Sequence, residues 1–487
     1  MPIRYLTADA VRDAEHAAGD LLADGTLMRR ASHGVAQVVI DELRRTGGCY
    51  GRQVGIVVGA GDNGGDALYA GAALSRRGVA CTALLLAPDR AHREGLAAFR
   101  RTGGRIVETL AGGLDVVIDG VVGIGGHGPL RPAAAEVFGQ LTGPADGGPI
   151  VVAVDIPSGV DADTGQVHDP AVRATVTVTF GAPRNAHLLA ATQCGRTVTV
   201  DIGIDPTGTD GDTLSSLTDH EVAALWPVPG PADDKYSQGV VGVIAGSARY
   251  PGAAILATGA AVSATSGMTR YVGTAADEVV AHFPEVVATR SIDDAGRVQA
   301  WAVGPGIGTD DDALGLLRDI LSTDLPVLVD ADGLTLVARH PELVDRRAPT
   351  LLTPHAGEFA RLTGDELGPD RLAAVRDLAR RWGVSVLLKG RITLVADPDG
   401  AVLGNDAGSS WAATAGAGDV LSGIAGSLLA AGLTSARAGA AAARVHAHAA
   451  ELAARDAPIG ASDLLAAVRP AIRALRRGHP TSATRAR

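Results

Sequence analysis

The spacing of apolar positions changes in a repeating order along the chain. Residues 7–46 have helical spacing: Thr7 can cap a helix carrying Val11, and the run Leu27 to Ile40 predicts a second helix. Gln53-Val-Gly-Ile-Val-Val58 is a short β-branched run and predicts a strand. It leads into glycine-rich Gly59 to Asp66 and then a helix over Ala67 to Arg77. Further strand-like runs cover Leu114 to Asp119, Val151 to Asp155 and Arg196 to Ile202. Strand, glycine-rich turn and helix in alternation predict parallel α/β architecture. Asp205 to Ser216 is polar, glycine-rich and without apolar periodicity, so it reads as a linker. From Thr218 the α/β pattern restarts, with a strand over Val240 to Ala245 and a small-residue helix through Ala264. Later strands lead into Gly304, Asp330, Thr353 and Lys389, and the run Val420 to Leu433 has the composition of a buried helix.

Composition narrows the functional classes. A chain of 487 residues holds two or three domains, and a net charge of −11 with 3% aromatics argues against a general nucleic-acid binder. The start, Met1 to Asp9, lacks the apolar core of a signal peptide, and runs such as Ala253 to Met268 are broken by Thr, Ser and Gly. The expectation is a cytoplasmic protein with no membrane partner. Cys49, Cys81 and Cys194 are odd in number and scattered, which indicates neither a disulfide framework nor a zinc site. The only lysines, Lys235 and Lys389, both lie in glycine-containing motifs.

Candidate chemistry gathers at the strand-end turns. In Thr414-Ala-Gly-Ala-Gly-Asp419, Gly416 to Gly418 sit where a helix begins, and unpaired N–H groups there suit phosphate. Asp419 beside that hole is placed to take a proton from a hydroxyl attacking phosphorus. In the first half, Gly59, Gly61 and Gly64 match G-x-G-x-x-G, as do Gly123, Gly125 and Gly128, a cheap match among 64 glycines. Their company says more. Asp62, Asn63 and Asp66 share one turn, while Asp119, Asp155 and Ser158 end or follow two further strands. Converging at one sheet edge, these form a hard-oxygen pocket for a small cation and a polar ligand. A single such turn would be ordinary capping chemistry.

These residues carry a resemblance over roughly residues 5–205. Gly59 to Asp66, Asp119 to Pro129 and Asp155-Ile-Pro-Ser-Gly159 resemble the epimerase domain of NAD(P)H-hydrate repair enzymes. The resemblance implies that Asn63, Asp119 and Ser158 hold potassium. It places substrate at Asp62, Asn63, Gly64, Gly65 and Asp66, at Gly123, Ile124, Gly125, Gly126, His127, Gly128 and Pro129, and at Asp155. Asp155 would also be catalytic, moving the proton at the ring carbon that epimerises. Asp62 departs from the usual Asn, adding a negative charge, and Ala67 stands where Gly is usual.

The second half, over roughly 225–470, resembles the ribokinase-like superfamily, and within it the ADP-dependent NAD(P)H-hydrate dehydratase. The motifs are Gly-Ser-x-x-Tyr-Pro-Gly-Ala253, Gly-Pro-Gly306-Ile-Gly, Thr-Pro-His355-x-Gly-Glu358, Lys389-Gly-x-x-Thr393 and Gly-x-Gly418-Asp419-Val-Leu-x-Gly. The resemblance implies hydrated-dinucleotide contacts at Ala253, Gly306, His355 and Asp419. Nucleotide contacts would fall at Lys389, Gly390, Arg391, Ile392, Thr393 and Gly418, with magnesium near Glu358 and ADP as co-substrate. Ala417 stands where Thr is usual, and no Walker-type motif is present.

The implied fold is α/β: a Rossmann-like three-layer sandwich over 1–208, a linker at 209–217, a ribokinase-like domain over 218–475 and a basic tail at 476–487. The implied activity is epimerisation of R and S NAD(P)H hydrates and ADP-driven dehydration of the S form, releasing AMP and phosphate, by a homo-oligomer. Two rivals stay open: a vitamin-precursor kinase fused to a Rossmann-like domain, and a non-catalytic dinucleotide sensor. His355 speaks against the first and a retained Asp419 against the second. His446 and His448, two apart on a helix, point to different faces and read as scaffolding.

Overall fold

A computed structural model describes residues 2–141, 143, 147–205 and 213–478. The chain divides into two compact units, Arg4–Gly211 and Met1–Ile3 with Asp212–Arg487. Residues 206–212 of the linker region lie outside the described residues. Leu214–Ser216, inside the stretch read as linker, forms a strand parallel to Val402–Asp406. Three residues with one buried leucine are too short for a periodic signal, and the partner strand supplies the order. Arg476 and Arg477, read as part of the tail, close the last helix, Ala461–Arg477, and residues 479–487 lie outside the described residues.

The first unit has seven strands in the spatial order Arg105–Val107, Ala80–Leu85, Gln53–Val58, Val116–Gly120, Ile150–Val154, Val176–Phe180 and Arg196–Val200. Every neighbouring pair is parallel. Side chains alternate across the sheet. Val152 and Val154 join a core with Val35, Val39 and Leu68, whereas Val151 packs with Leu130 and Ala134 on the opposite side. Helices therefore cover both faces. The helix after the first central strand runs Asp62–Ser75, not from Ala67. Gly61, at φ 90°, turns the chain sharply enough for helix to start at once, so Asp62, Asn63 and Asp66 occupy its first turns.

Ten strands of the second unit form one sheet, in the order Leu214–Ser216, Val402–Asp406, Ile392–Ala396, Ser385–Leu388, Thr350–Leu352, Val327–Val329, Ala300–Val303, Val240–Ile244, Met268–Val272 and Val287–Thr289. Only the pairings on either side of Ile392–Ala396 are antiparallel among those described. The Ala- and Gly-rich composition shows its purpose where Pro251–Ala264 meets Ala417–Ala430. A methyl on Gly423 would lie 2.1 Å from the Ala257 carbonyl oxygen, and one on Gly426 2.7 Å from Ala302 Cβ. Helices this close to each other and to the sheet leave no room for aromatic side chains. No helix among the described residues is long and apolar enough to cross a membrane.

Candidate active sites

In the first unit the central strand Gln53–Val58 has neighbours whose connections lead to opposite edges, Ala80–Leu85 on one side and Val116–Gly120 on the other. Such a switch point opens a crevice at the carboxyl ends of the strands. A cavity of about 810 Å³ lies there, lined by Asp62, Asn63, Asp66, the whole run Gly123 to Leu130, Asp155 and Ser158. That size suits a nucleotide-scale ligand. The structure thus brings the expected residues together, except that Gly64, Gly65 and Asp119 do not line the cavity. A methyl on Gly64 would meet the Gly59 carbonyl oxygen at 2.5 Å, and one on Gly65 the His92 ring at 2.9 Å. Their role is to let the helix approach. His127 is exposed and lies 3.3 Å from Asp161.

Asp119 is fully buried beneath the cleft. Its Oδ2 accepts the Ser158 N–H at 2.8 Å and its Oδ1 the Ser158 hydroxyl at 2.8 Å, while the Val122 N–H donates to Ser158 Oγ at 3.1 Å. Burial pushes the Asp119 carboxyl up to about 6, with the Ser158 and Val121 donors opposing. Asn63 stands against Gly123, and its buried Nδ2 has no partner among the described residues. A buried amide nitrogen without an acceptor is costly, and the two ends of a carboxamide are nearly isosteric. Turned over, Asn63 would present an oxygen to a cation. One carboxylate, one amide and one hydroxyl form a hard-oxygen set of low charge, which fits a monovalent ion.

Asp66 has a buried Oδ1 that also lacks a partner, and burial, with Asp155, Asp62 and Glu15 adding repulsion, holds its carboxyl well above the usual range. Asp155 sits at φ 66°, a left-handed conformation uncommon for a non-glycine residue. Its Oδ1 accepts from Thr179 Oγ1 at 3.1 Å and from Arg184 Nη2 at 3.1 Å. Glu15 and Arg184 line the same cavity and had no sequence signal, since neither belongs to a strand-end motif.

In the second unit, helix Ala417–Ala430 starts from Gly416 at φ 84°, and Asp419 is in its first turn. Burial pushes the Asp419 carboxyl up to about 7. Asp330 and Asp332 push the same way and Lys389 opposes. That is the range in which a carboxylate serves as a base near neutral pH. A methyl on Gly418 would lie 3.5 Å from Lys389 Nζ, and one on Gly306 3.0 Å from Ala253 Cβ. Lys389, expected to contact the nucleotide, has its ammonium 2.6 Å from Asp330 Oδ1 and 3.5 Å from Glu358. Burial disfavours its charge, and the two carboxylates outweigh burial to hold its pKa above the ordinary lysine value.

Asp330, expected from the sequence only as a strand end, joins these groups. It is 1% exposed and takes the Ser422 hydroxyl at 2.6 Å as well as Lys389. His355 caps helix Ala356–Thr363, its Nδ1 accepting the Gly357 N–H at 3.0 Å, and its half-exposed ring keeps Nε2 3.5 Å from Glu358. Of the other nucleotide candidates, Arg391 donates to the Gly408 carbonyl at 2.8 Å and Thr393 Oγ1 to the Gly390 carbonyl at 3.1 Å. The Ile392 side chain is buried, so only its backbone is on offer. Gly390 faces the Arg371 guanidinium, which a methyl would meet at 2.8 Å. His446 and His448 do take separate partners, the Ala417 carbonyl at 2.9 Å and Asp219 at 3.1 Å. Among the described residues no three His, Cys, Asp or Glu side chains cluster as a metal site. Magnesium bound largely through phosphates and water needs only one or two carboxylates, and Glu358 is the one the sequence reading offers for it.

Two α/β units, one sheet parallel and the other largely so, each with an acid at the carboxyl edge beside glycine backbone, define an enzyme for phosphate-bearing small molecules. Residues 241–470 match the family described as NAD(P)H-hydrate dehydratase, and residues 24–186 match the YjeF-related protein N-terminus. The bifunctional NAD(P)H-hydrate repair enzyme Nnr of Mycobacterium tuberculosis is 59% identical over 436 residues, 89% of this chain and 90% of that protein. That of Corynebacterium glutamicum is 38% identical over 504 residues, 87% of this chain and 86% of that protein. The ADP/ATP-dependent NAD(P)H-hydrate dehydratase of Bacillus subtilis, co-crystallised with ATP and Mg2+, is 27% identical with a TM-score of 0.48, covering 53% of this chain and 97% of its own. The chain belongs to the family of bifunctional NAD(P)H-hydrate repair enzymes, with an epimerase domain followed by a dehydratase domain.

Proposed function

We propose that the second unit restores the S hydrate of NADH or NADPH by ADP-driven dehydration, with Asp419 as the base. The observation that carries this is Asp419 itself: a carboxyl titrating at about 7 beside the N–H groups of a helix start. Asp419 takes the proton of the ring hydroxyl, whose oxygen attacks the β-phosphorus of ADP, and AMP leaves. The ring carbon then loses phosphate, assisted by the lone pair of the ring nitrogen, and loss of a proton from the adjacent carbon restores the double bond. Hydrate plus ADP gives NAD(P)H, AMP and phosphate. Gly416 and Gly418 would offer backbone N–H groups to phosphate, the Ala417 N–H being taken by the Thr414 carbonyl at 3.3 Å, and the turn after Lys389, whose own N–H is taken by the Pro354 carbonyl at 2.8 Å, would offer backbone to the nucleotide. The ammonium of Lys389 is committed to Asp330 and serves to hold the turn against Gly418. Magnesium, near Glu358, would neutralise phosphate charge and leave Asp419 free to act as the base.

The first unit interconverts the epimers in this reading. The carbon concerned bears a hydroxyl next to the ring nitrogen, so it inverts most simply by losing water and regaining it on the other face. Asp155 then moves the proton of that water, not one bound to carbon. Potassium, held by Asn63, Asp119 and Ser158, would offset the charge of the acids around the cleft. The test uses purified protein with mixed hydrate epimers, magnesium, potassium and either ADP or ATP, following the return of NADH absorbance. Nucleotide left unreacted after prolonged incubation would favour a sensor over an enzyme.

A further inference from the structure

Arg184 is the largest fully buried side chain among the described residues, at 1% exposure. A guanidinium loses much hydration on burial and is retained only with good partners. Among the described residues its one carboxylate partner is Asp155, whose Oδ1 it meets at 3.1 Å. Its other terminal nitrogen donates to the Ala182 and Phe180 carbonyls, which anchors it to the loop after strand Val176–Phe180. The Arg184 N–H donates to His187 Nδ1 at 2.7 Å, and His187 Nε2 donates in turn to the Asp155 carbonyl at 2.8 Å. Burial pulls the His187 pKa down to about 4, so the ring is neutral, as this donor–acceptor pattern requires. Thr179 completes the set at Asp155 Oδ1. Asp155 is thus gripped twice, at its carbonyl and at one carboxylate oxygen, in a left-handed backbone conformation. Oδ2 accepts no hydrogen bond among the described residues.

We propose that Arg184 is a positioning residue for epimerisation, turning Asp155 so that Oδ2 alone faces the ligand. The inference rests on Asp155 being the proton-moving group. Arg184 and Thr179 saturate Oδ1, and His187 fixes the carbonyl, so the carboxylate has one orientation and one free acceptor. A base held in its working orientation avoids an ordering cost in each turnover. The second face of the cleft is left to Asp66 and Glu15.

The experiment starts full-length protein on pure R hydrate with potassium and follows S hydrate by chromatography. In Arg184→Met, kcat falls by about 30-fold or more with KM within about threefold, because the guanidinium, though at the cavity wall, is spent on Asp155 and the Phe180 and Ala182 carbonyls. Arg184→Lys recovers at least about a fifth of wild-type kcat, since an ammonium can still reach Oδ1. A residue that only filled space would be served as well by Met as by Lys. Wild-type kcat in Arg184→Met, a loss confined to KM, or Lys no better than Met would overturn the assignment. If Arg184→Met does not fold, Thr179→Val takes its place, removing only a hydroxyl from Oδ1. It lowers kcat by about fivefold if Oδ1 is the gripped oxygen, and an unchanged kcat overturns the proposal. Asp155→Ala with retained interconversion would instead sink the reading of Asp155, whatever Arg184 does.

Discussion

Replacing Asp419 by Asn keeps the size of the side chain and removes the base. A carboxyl at the ordinary value of 3.8 would be ionised at neutral pH but a feeble base; burial, reinforced by Asp330 and Asp332, brings it to about 7. The ionised fraction then climbs from about 9% near pH 6 to about 91% near pH 8, so wild-type kcat for dehydration rises about tenfold across that interval. The sign follows from the role. A base works only when deprotonated, so activity falls as pH drops through the raised pKa. Asp419→Asn loses the group altogether, which should cost about 10²–10⁴ in rate, roughly 3–6 kcal/mol in the barrier, and flatten the profile. Binding of hydrate and ADP should survive, since the backbone donors of Gly416 and Gly418 are untouched. The assay is steady-state recovery of NADH absorbance from pure S hydrate at saturating ADP, over that pH range. Turnover within about threefold of wild type with the same pH slope would remove Asp419 from the mechanism.

In the other unit, Asp155→Ala should stop interconversion of R and S hydrates while ADP-dependent repair of pure S hydrate continues, and chromatography from pure R hydrate reads both. Asp62→Asn removes a charge that raises the Asp66 pKa, and should leave epimerisation equal or faster in the same assay. Gly59→Ala would put a methyl 1.9 Å from the Val121 carbonyl oxygen, between two strand ends that cannot part without opening the cleft. Its melting transition should fall by roughly 5–15 °C, measured by calorimetry. Burial pushes the Cys81 thiol up to about 11 and Cys194 to about 12, so in native protein near neutral pH only the half-buried Cys49 should react with a thiol reagent. All three should react in denaturant.

Local chemistry was legible in the linear chain. The β-branched run Gln53 to Val58 is a strand with those ends, Thr7 caps the first long helix, and Gly416 turns into the helix carrying Asp419. Such features depend on a few consecutive residues: side-chain shape, a capping oxygen, a glycine where φ is positive. The acids at strand ends could be named for the same reason, because parallel α/β folding sends every strand end to one edge. Charge pairing could not be read this way. Arg184 meets Asp155 across 29 residues and Lys389 meets Asp330 across 59, and no spacing rule links them. Nor did the sequence show that helix begins at Asp62, that Leu214–Ser216 is a strand, or that Asn63 and Asp66 bury polar atoms without partners. Those outcomes depend on which surfaces are desolvated together, and burial is a property of the assembled chain. The order of residues determined which groups could do chemistry. Packing decided their protonation, their orientation and which of them are held in place by a buried counter-charge.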